Sequence, residues 1–184
     1  MKCIRNTLSV LVSLIAFYAH AQLVKGTLKD DRDGKKYRTI SIDGKTWMLD
    51  NLNYEISPSY CFQDNPRNCS QHGRLYPWTL VKEQKLCPKG WHIPSRAEWE
   101  SLYKSLNAIR KKGELLTKLF NLHYGGLRYD IGKYVEEGRM EIFWTSTPKK
   151  EGWAFAAYFL PNYVRLQFYE YQTENAMYCR CVKD

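Results

Sequence analysis

Where its six cysteines stand constrains this chain more than any other feature. Cys3 lies in the opening stretch MKCIRNTLSVLVSLIAFYAHAQ; Cys61, Cys69, Cys87, Cys179 and Cys181 follow far downstream. The opening stretch has Lys2 and Arg5, then the apolar run 8–18, then Ala19-His20-Ala21. A basic start, an apolar run too short to span a bilayer and an A-x-A site make a secretory leader. Cleavage is expected between Ala21 and Gln22, so the expected domains are a leader over 1–21 and one domain over 22–184. Cys3 precedes the apolar run and is not placed to carry a lipid. No later segment is apolar for long enough to cross a membrane. Export to an oxidising compartment, periplasm or cell surface, makes disulfides the default for the five remaining cysteines. Five is odd, so one thiol is left over or pairs between molecules.

The remainder has the length of one domain and can bury roughly 70% of its unfolded surface. The leader carries two cations and no acid, so the rest stands two units below the whole chain's +9. Its cations are scattered, apart from short runs such as Arg110-Lys111-Lys112, so no nucleic-acid partner is expected. The charge suits solubility and weak attraction to anionic surfaces or polysaccharides.

The early residues read as strands joined by tight turns: LVKGTLKD, KKYRTISI and TWMLDNLNY, separated by Asp33-Gly34 and Asp43-Gly44. Gly accepts positive φ at little cost, which makes Asp-Gly a hairpin signal. Asp31-x-Asp33-Gly34 faintly resembles part of a calcium loop, but Lys29 would take the first ligand position. PSYCFQDNPRNCSQHGRLYPW reads as a loop, with Cys61 and Cys69 well placed for a local disulfide. Ser95-x-x-Glu98 is a capping box, in which each side chain satisfies the other residue's orphan N–H. Trp99, Leu102, Tyr103 and Leu106 then recur at helical spacing, and Gly113 ends the helix after three cations. ELLTKLFNL reads as a shorter second helix. WAFAAYFL is apolar on both parities, as a central strand is. YVRLQFYEY alternates: Val164, Leu166 and Phe168 point one way, and Tyr163, Arg165, Gln167, Tyr169 and Tyr171 the other. AMYCRCV reads as the last strand. Strands, two helices, then strands is an α+β order.

Together the stretches DRDGKKYRTISIDGKTWMLDNLNY, YCF, GRLYPW, CPKGWHIPSRAEW, the Gly125-Gly126-x-Arg128 set, FWTST and the terminal RCVKD resemble the Fibrobacter succinogenes major paralogous domain family. The resemblance runs in order over nearly all of 22–184. It implies an exported domain of C-type-lectin-like fold: antiparallel strands, paired terminal strands, two flanking helices and a long loop region after the second helix. It also implies two cysteine pairs, Cys61 with Cys69 and Cys87 with Cys181. Cys179 departs from the pattern, which has an apolar residue there. The family carries no general catalytic activity to transfer.

Candidate chemistry divides as follows. A lectin-type calcium site needs six to eight oxygens, yet the corresponding stretch here, Trp144-Thr145-Ser146-Thr147, has no carboxylate. Glu136, Glu137 and Glu141 read as a solvated acidic loop. His72, His92 and His123 lie in no nucleophile motif and read as hydrogen-bonded structural residues. Asp50 reads as a turn or strand-end residue and Glu98 as a helix cap. The formylglycine-generating enzymes, which share a related fold, use a more widely spaced cysteine pair with copper; the Cys87 pairing accounts better for Cys181. For Cys179, a small-hydrophobe role in the core is expected, since two thiolates without further ligands make no zinc site. No metal or other cofactor is expected. Aromatic residues are 15% of the chain, most of them expected in the core, with Tyr163, Arg165, Tyr169 and Tyr171 the candidate ligand face. The expected function is a non-catalytic binding module for extracellular polysaccharide or a protein partner. A structural protein of the cell envelope is the alternative, and an enzyme of the formylglycine-generating type the remoter one.

Overall fold

The computed structural model describes residues 23–109, 118–161 and 163–184. The expected leader, the cations 110–112, Gly113 and residues 114–117 of the second expected helix lie outside them. Residues 118–120 are helical.

The described chain is mixed, with mostly antiparallel sheets, as the α+β order predicts. Strands β1 (Val24–Lys29), β2 (Lys36–Ile42) and β3 (Lys45–Met48) form a meander, with Ile40 opposite Trp47. Asp43 and Gly44 turn β2 into β3 at φ 48° and 78°, the backbone a two-residue hairpin demands. The sheet order is β1-β2-β3-β11, with β11 (Val182–Lys183) supplied by the C-terminus.

The stretch expected as a loop holds a 3-10 turn at Phe62–Asp64, helix α1 (Pro66–His72) and strand β4 (Tyr76–Pro77), and helix α2 (Trp78–Lys82) starts at its last residue. Asn65 caps α1 by accepting from the Arg67 N–H at 3.0 Å, and Pro66 stands at its first turn. Pro costs nothing there, because that N–H would be an orphan anyway.

Helix α3 (Arg96–Ile109) starts at the expected capping box. The Ser95 N–H donates to Glu98 Oε2 at 2.8 Å and the Glu98 N–H to Ser95 Oγ at 3.2 Å. Trp99, Leu102 and Leu106 are buried, and Trp99 stacks on Phe143 at 5.3 Å between centroids. Truncating one such leucine costs about 2–5 kcal/mol.

The region expected to be a long loop holds the hairpin β5 (Gly125–Arg128) and β6 (Tyr134–Glu137). Gly126 has φ 70°, and a Cβ there would stand 2.1 Å from the Val135 carbonyl oxygen. Only glycine lets the two strands close at that point. Strands β7 (Glu141–Lys150), β8 (Trp153–Leu160) and β9 (Tyr163–Gln172) make the third sheet, with β8 in the centre as expected.

The segment AMYCRCV is not one strand. β10 (Ala176–Met177) lies between β4 and β5, Tyr178 bridges to Phe143 of β7, and β11 joins the first sheet. These eight or so residues thread all three sheets. The Leu52 N–H donates to the Cys179 carbonyl at 2.8 Å and the Met48 N–H to that of Cys181 at 2.9 Å. Disulfides join Cys61 to Cys69 and Cys87 to Cys181; Cys179 is a free, fully buried thiol. Burial pushes its pKa far above the ordinary thiol range, so it stays protonated. Two disulfides suit an oxidising environment. No helix among the described residues is long and apolar enough to cross a membrane.

Candidate functional site

Of the expected ligand face, the structure brings two members together. Tyr169 and Tyr171 on β9 meet edge to face with centroids 5.4 Å apart. Tyr169 is 62% exposed, whereas Tyr171 is half-buried. Burial pushes the Tyr171 phenol up to about 12, with Tyr129, Tyr158 and Glu136 adding to it. Arg165 is exposed but stands four residues, about 13 Å, back along the strand from Tyr169. The Tyr163 side chain lies outside the described residues.

β9 ends beside a groove that sequence reasoning missed. Two adjoining cavities, of about 350 and 500 Å3, share Val81, Gln84 and Ser146. The inner one runs past Leu86, Trp91 and Ile93; the outer one passes Trp78 and Pro148 and ends at Thr173, two residues beyond Tyr171. Short α2 forms one wall and the end of β7 the other. The Trp78 Nε1–H donates to the Thr145 carbonyl at 2.9 Å and its N–H to that of Thr173 at 3.0 Å, which fixes the wall. Gln84, Ser146, Lys82, Lys150 and Glu151 supply an exposed polar rim. Apolar walls with a few polar groups are the usual make-up of a ligand groove. Its residues are assembled from α2, the turn before α3 and β7, so no single motif announces it.

His92 at the inner end is committed to the fold. Its Nε2 lies 2.9 Å from Glu98 Oε1, and its backbone pairs with Val182. Glu98 resists burial through bonds to Ser95, His92 and Lys45, which hold its carboxyl down at about 2. His92, Glu98 and Asp184 are close enough together for a cation, but Lys45 bonds both carboxylates. An ammonium thus stands where a metal would. In the stretch compared with lectin calcium sites, the Trp144 Nε1–H donates to the Tyr76 carbonyl and the Thr145 hydroxyl to that of Phe155.

One sequence reading needs correction. Glu141 is not on a solvated loop but fully buried. Its Oε2 accepts from the His123 and Gly125 N–H groups, each at 3.1 Å, and its Oε1 from Asn51 Nδ2 at 2.9 Å. Burial removes water's solvation of the carboxylate, and these donors replace it. Arg180, between the two C-terminal cysteines, is also fully buried, over Phe120 and Phe143. Burial pushes its guanidinium down to about 10, against the pull of Glu141 and Asp50.

Asn51 joins this buried pair to a polar cavity of about 260 Å3 under α1, lined among others by Lys36, Asp50, Gln71, His72 and His123. The two imidazoles meet edge to face at 5.2 Å. His72 Nδ1 is buried with no partner among the described residues. Desolvation lowers the pKa of His123, Glu141 opposes that, and His72 and Arg180 add to it. Asp50 is ion-paired to Arg38, which agrees with its reading as a strand-end residue.

No curated protein and no solved structure matches the chain. A family model, that of the Fibrobacter succinogenes major domain, matches residues 40–183. The match takes in both disulfides, the groove, β9 and the polar cavity apart from Lys35, Lys36 and Tyr37, and leaves out β1. The chain therefore belongs to the Fibrobacter succinogenes major domain family.

Proposed function

We propose that this protein is an exported, non-catalytic binding module of C-type-lectin-like fold that recognises extracellular polysaccharide without calcium. The groove, which ends at Thr173 two residues beyond Tyr171, carries this reading. Its apolar walls suit sugar-ring faces, its rim of amide, hydroxyl and charged groups suits sugar hydroxyls, and the exposed Tyr169 ring on the same strand as Thr173's neighbour Gln172 is a further stacking surface. The lectin-like arrangement is supported by β11, which brings the C-terminus into the sheet of the N-terminal strands. Export is supported by the leader-like opening and the two disulfides. A non-enzymatic role is supported by His92, whose ring and carboxylate partner hold the start of α3 rather than meeting in the groove.

A glycan and polysaccharide binding screen, run with and without EDTA, tests the reading. Binding that survives EDTA is expected. Loss of binding in EDTA would overturn the calcium-free site, and absence of any glycan binding would point to a protein partner instead.

A further inference from the structure

The polar cavity under α1 is separate from the groove, and the groove reading makes no use of it. We propose that this cavity is a second ligand site, shaped for an acidic sugar: a hexuronate, with a carboxylate beside ring hydroxyls.

The charge distribution gives the first reason. Lys36 is exposed and makes no ion pair among the described residues. Behind the wall, Arg180 is fully buried; it does not line the cavity, so it adds positive charge nearby but no donor to a ligand there. His72 adds a buried ring nitrogen with no partner among the described residues. These groups favour an anion that brings acceptors.

The second reason is a set of fixed hydroxyl partners. Asp50 is held by Arg38, whose N–H donates to Oδ2 at 2.7 Å and whose Nε donates to Oδ1 at 2.9 Å. Asn51 is held on both sides: its Oδ1 accepts from Arg180 Nε at 2.8 Å, and its Nδ2 donates to the His72 carbonyl at 2.8 Å and to Glu141. Side chains locked in this way order a ligand at little entropic cost. Gln71 adds an exposed amide at the rim.

The carboxylate of Asp50 separates candidate anions. A phosphate dianion would bring two charges and a single O–H to a like charge there, whereas a sugar carboxylate carries one charge and several neighbouring hydroxyls that can donate to Asp50. A neutral sugar leaves Lys36 without an anion. A hexuronate uses both halves of the lining.

The test is a titration followed through the histidine ring protons of the purified protein by NMR. D-galacturonate is the probe, with D-galactose, acetate and inorganic phosphate titrated separately. Galacturonate is expected to shift the His72 and His123 signals saturably and to leave His92 still, with each of the other three binding at least about tenfold more weakly. Lys36→Gln, at an exposed position that leaves the fold intact, is expected to weaken galacturonate binding severalfold. Trp91→Ala, in the groove, is expected to leave it unchanged. No saturable shift, equal binding of acetate or phosphate, or loss through Trp91→Ala would each overturn the proposal. The groove reading stands or falls separately, on polysaccharide binding by the Lys36→Gln protein.

Discussion

Arg180 donates from Nε to Asn51 Oδ1 at 2.8 Å across 129 residues of sequence. Asn51 passes the link to Glu141, so a buried cation and a buried anion share one amide. Such an arrangement is costly to break on one side only, because the other charge stays behind in the interior. Asn51→Ala is expected to cost about 3–5 kcal/mol in a denaturant titration. Arg180→Met and Glu141→Gln are expected to be strongly destabilising singly and less than additive together. Full additivity would mean that the two charges do not sense each other.

Glu98 sets an acid limit on stability. Its carboxyl, depressed from 4.5 to about 2 in the fold, binds its proton more readily when unfolded. The stability it contributes is therefore complete above about pH 4.5 and is lost as pH falls toward 2. Glu98→Gln is expected to be less stable than the native chain at pH 7 and to show a flatter decline over that window. The check is the denaturation midpoint measured at a series of pH values.

The two disulfides differ in what they close. Cys87–Cys181 spans 94 residues and Cys61–Cys69 only 8. In the chain-entropy picture the first contributes about 4–5 kcal/mol and the second about 2–3. Replacing the first pair by serine is expected to lower the melting temperature more than replacing the second.

Cys179 is expected to resist alkylation in the native protein and to react, Cys3 aside, as the sole free thiol in denaturant without reductant. Mass spectrometry that found the label on Cys181 would contradict the pairing. Cys179→Ala is expected to cost far less than loss of the Cys87 bond.

Tyr169→Ala removes an exposed ring and is expected to leave the melting temperature within about 1 °C. Polysaccharide binding is expected to fall by about 0.5–1.5 kcal/mol, or two- to tenfold. Trp91→Ala is expected to reduce it at least as much. Unchanged affinity in both variants, measured by calorimetry, would remove the groove from consideration.

What the sequence made legible were the features with local causes. The Asp43-Gly44 turn, the Ser95–Glu98 box and the apolar run of β8 each announce themselves within a few residues. Helix α1 also had a local signal, Asn65 followed by Pro66, but its apolar content is too low for a periodic stripe. The buried charges had none. Arg180 and Glu141 are tolerated in the interior because Asn51, distant in sequence from both, stands between them, while the Leu49 carbonyl and the His123 and Gly125 N–H groups supply further partners. The groove was hidden for a related reason: Trp78, Trp91 and Pro148 come from three separate segments. Of the aromatic face, alternation along β9 put Tyr169 and Tyr171 on one side but could not show that only the first is open to solvent.

The threading of residues 176–183 through all three sheets has a consequence for cooperativity. Strand β10 lies between β4 and β5, Tyr178 bridges to Phe143 of β7 and β11 pairs with β3, so one short segment couples the sheets to one another. Detaching it disturbs every sheet at once, and the domain is expected to lose its structure as one unit rather than sheet by sheet.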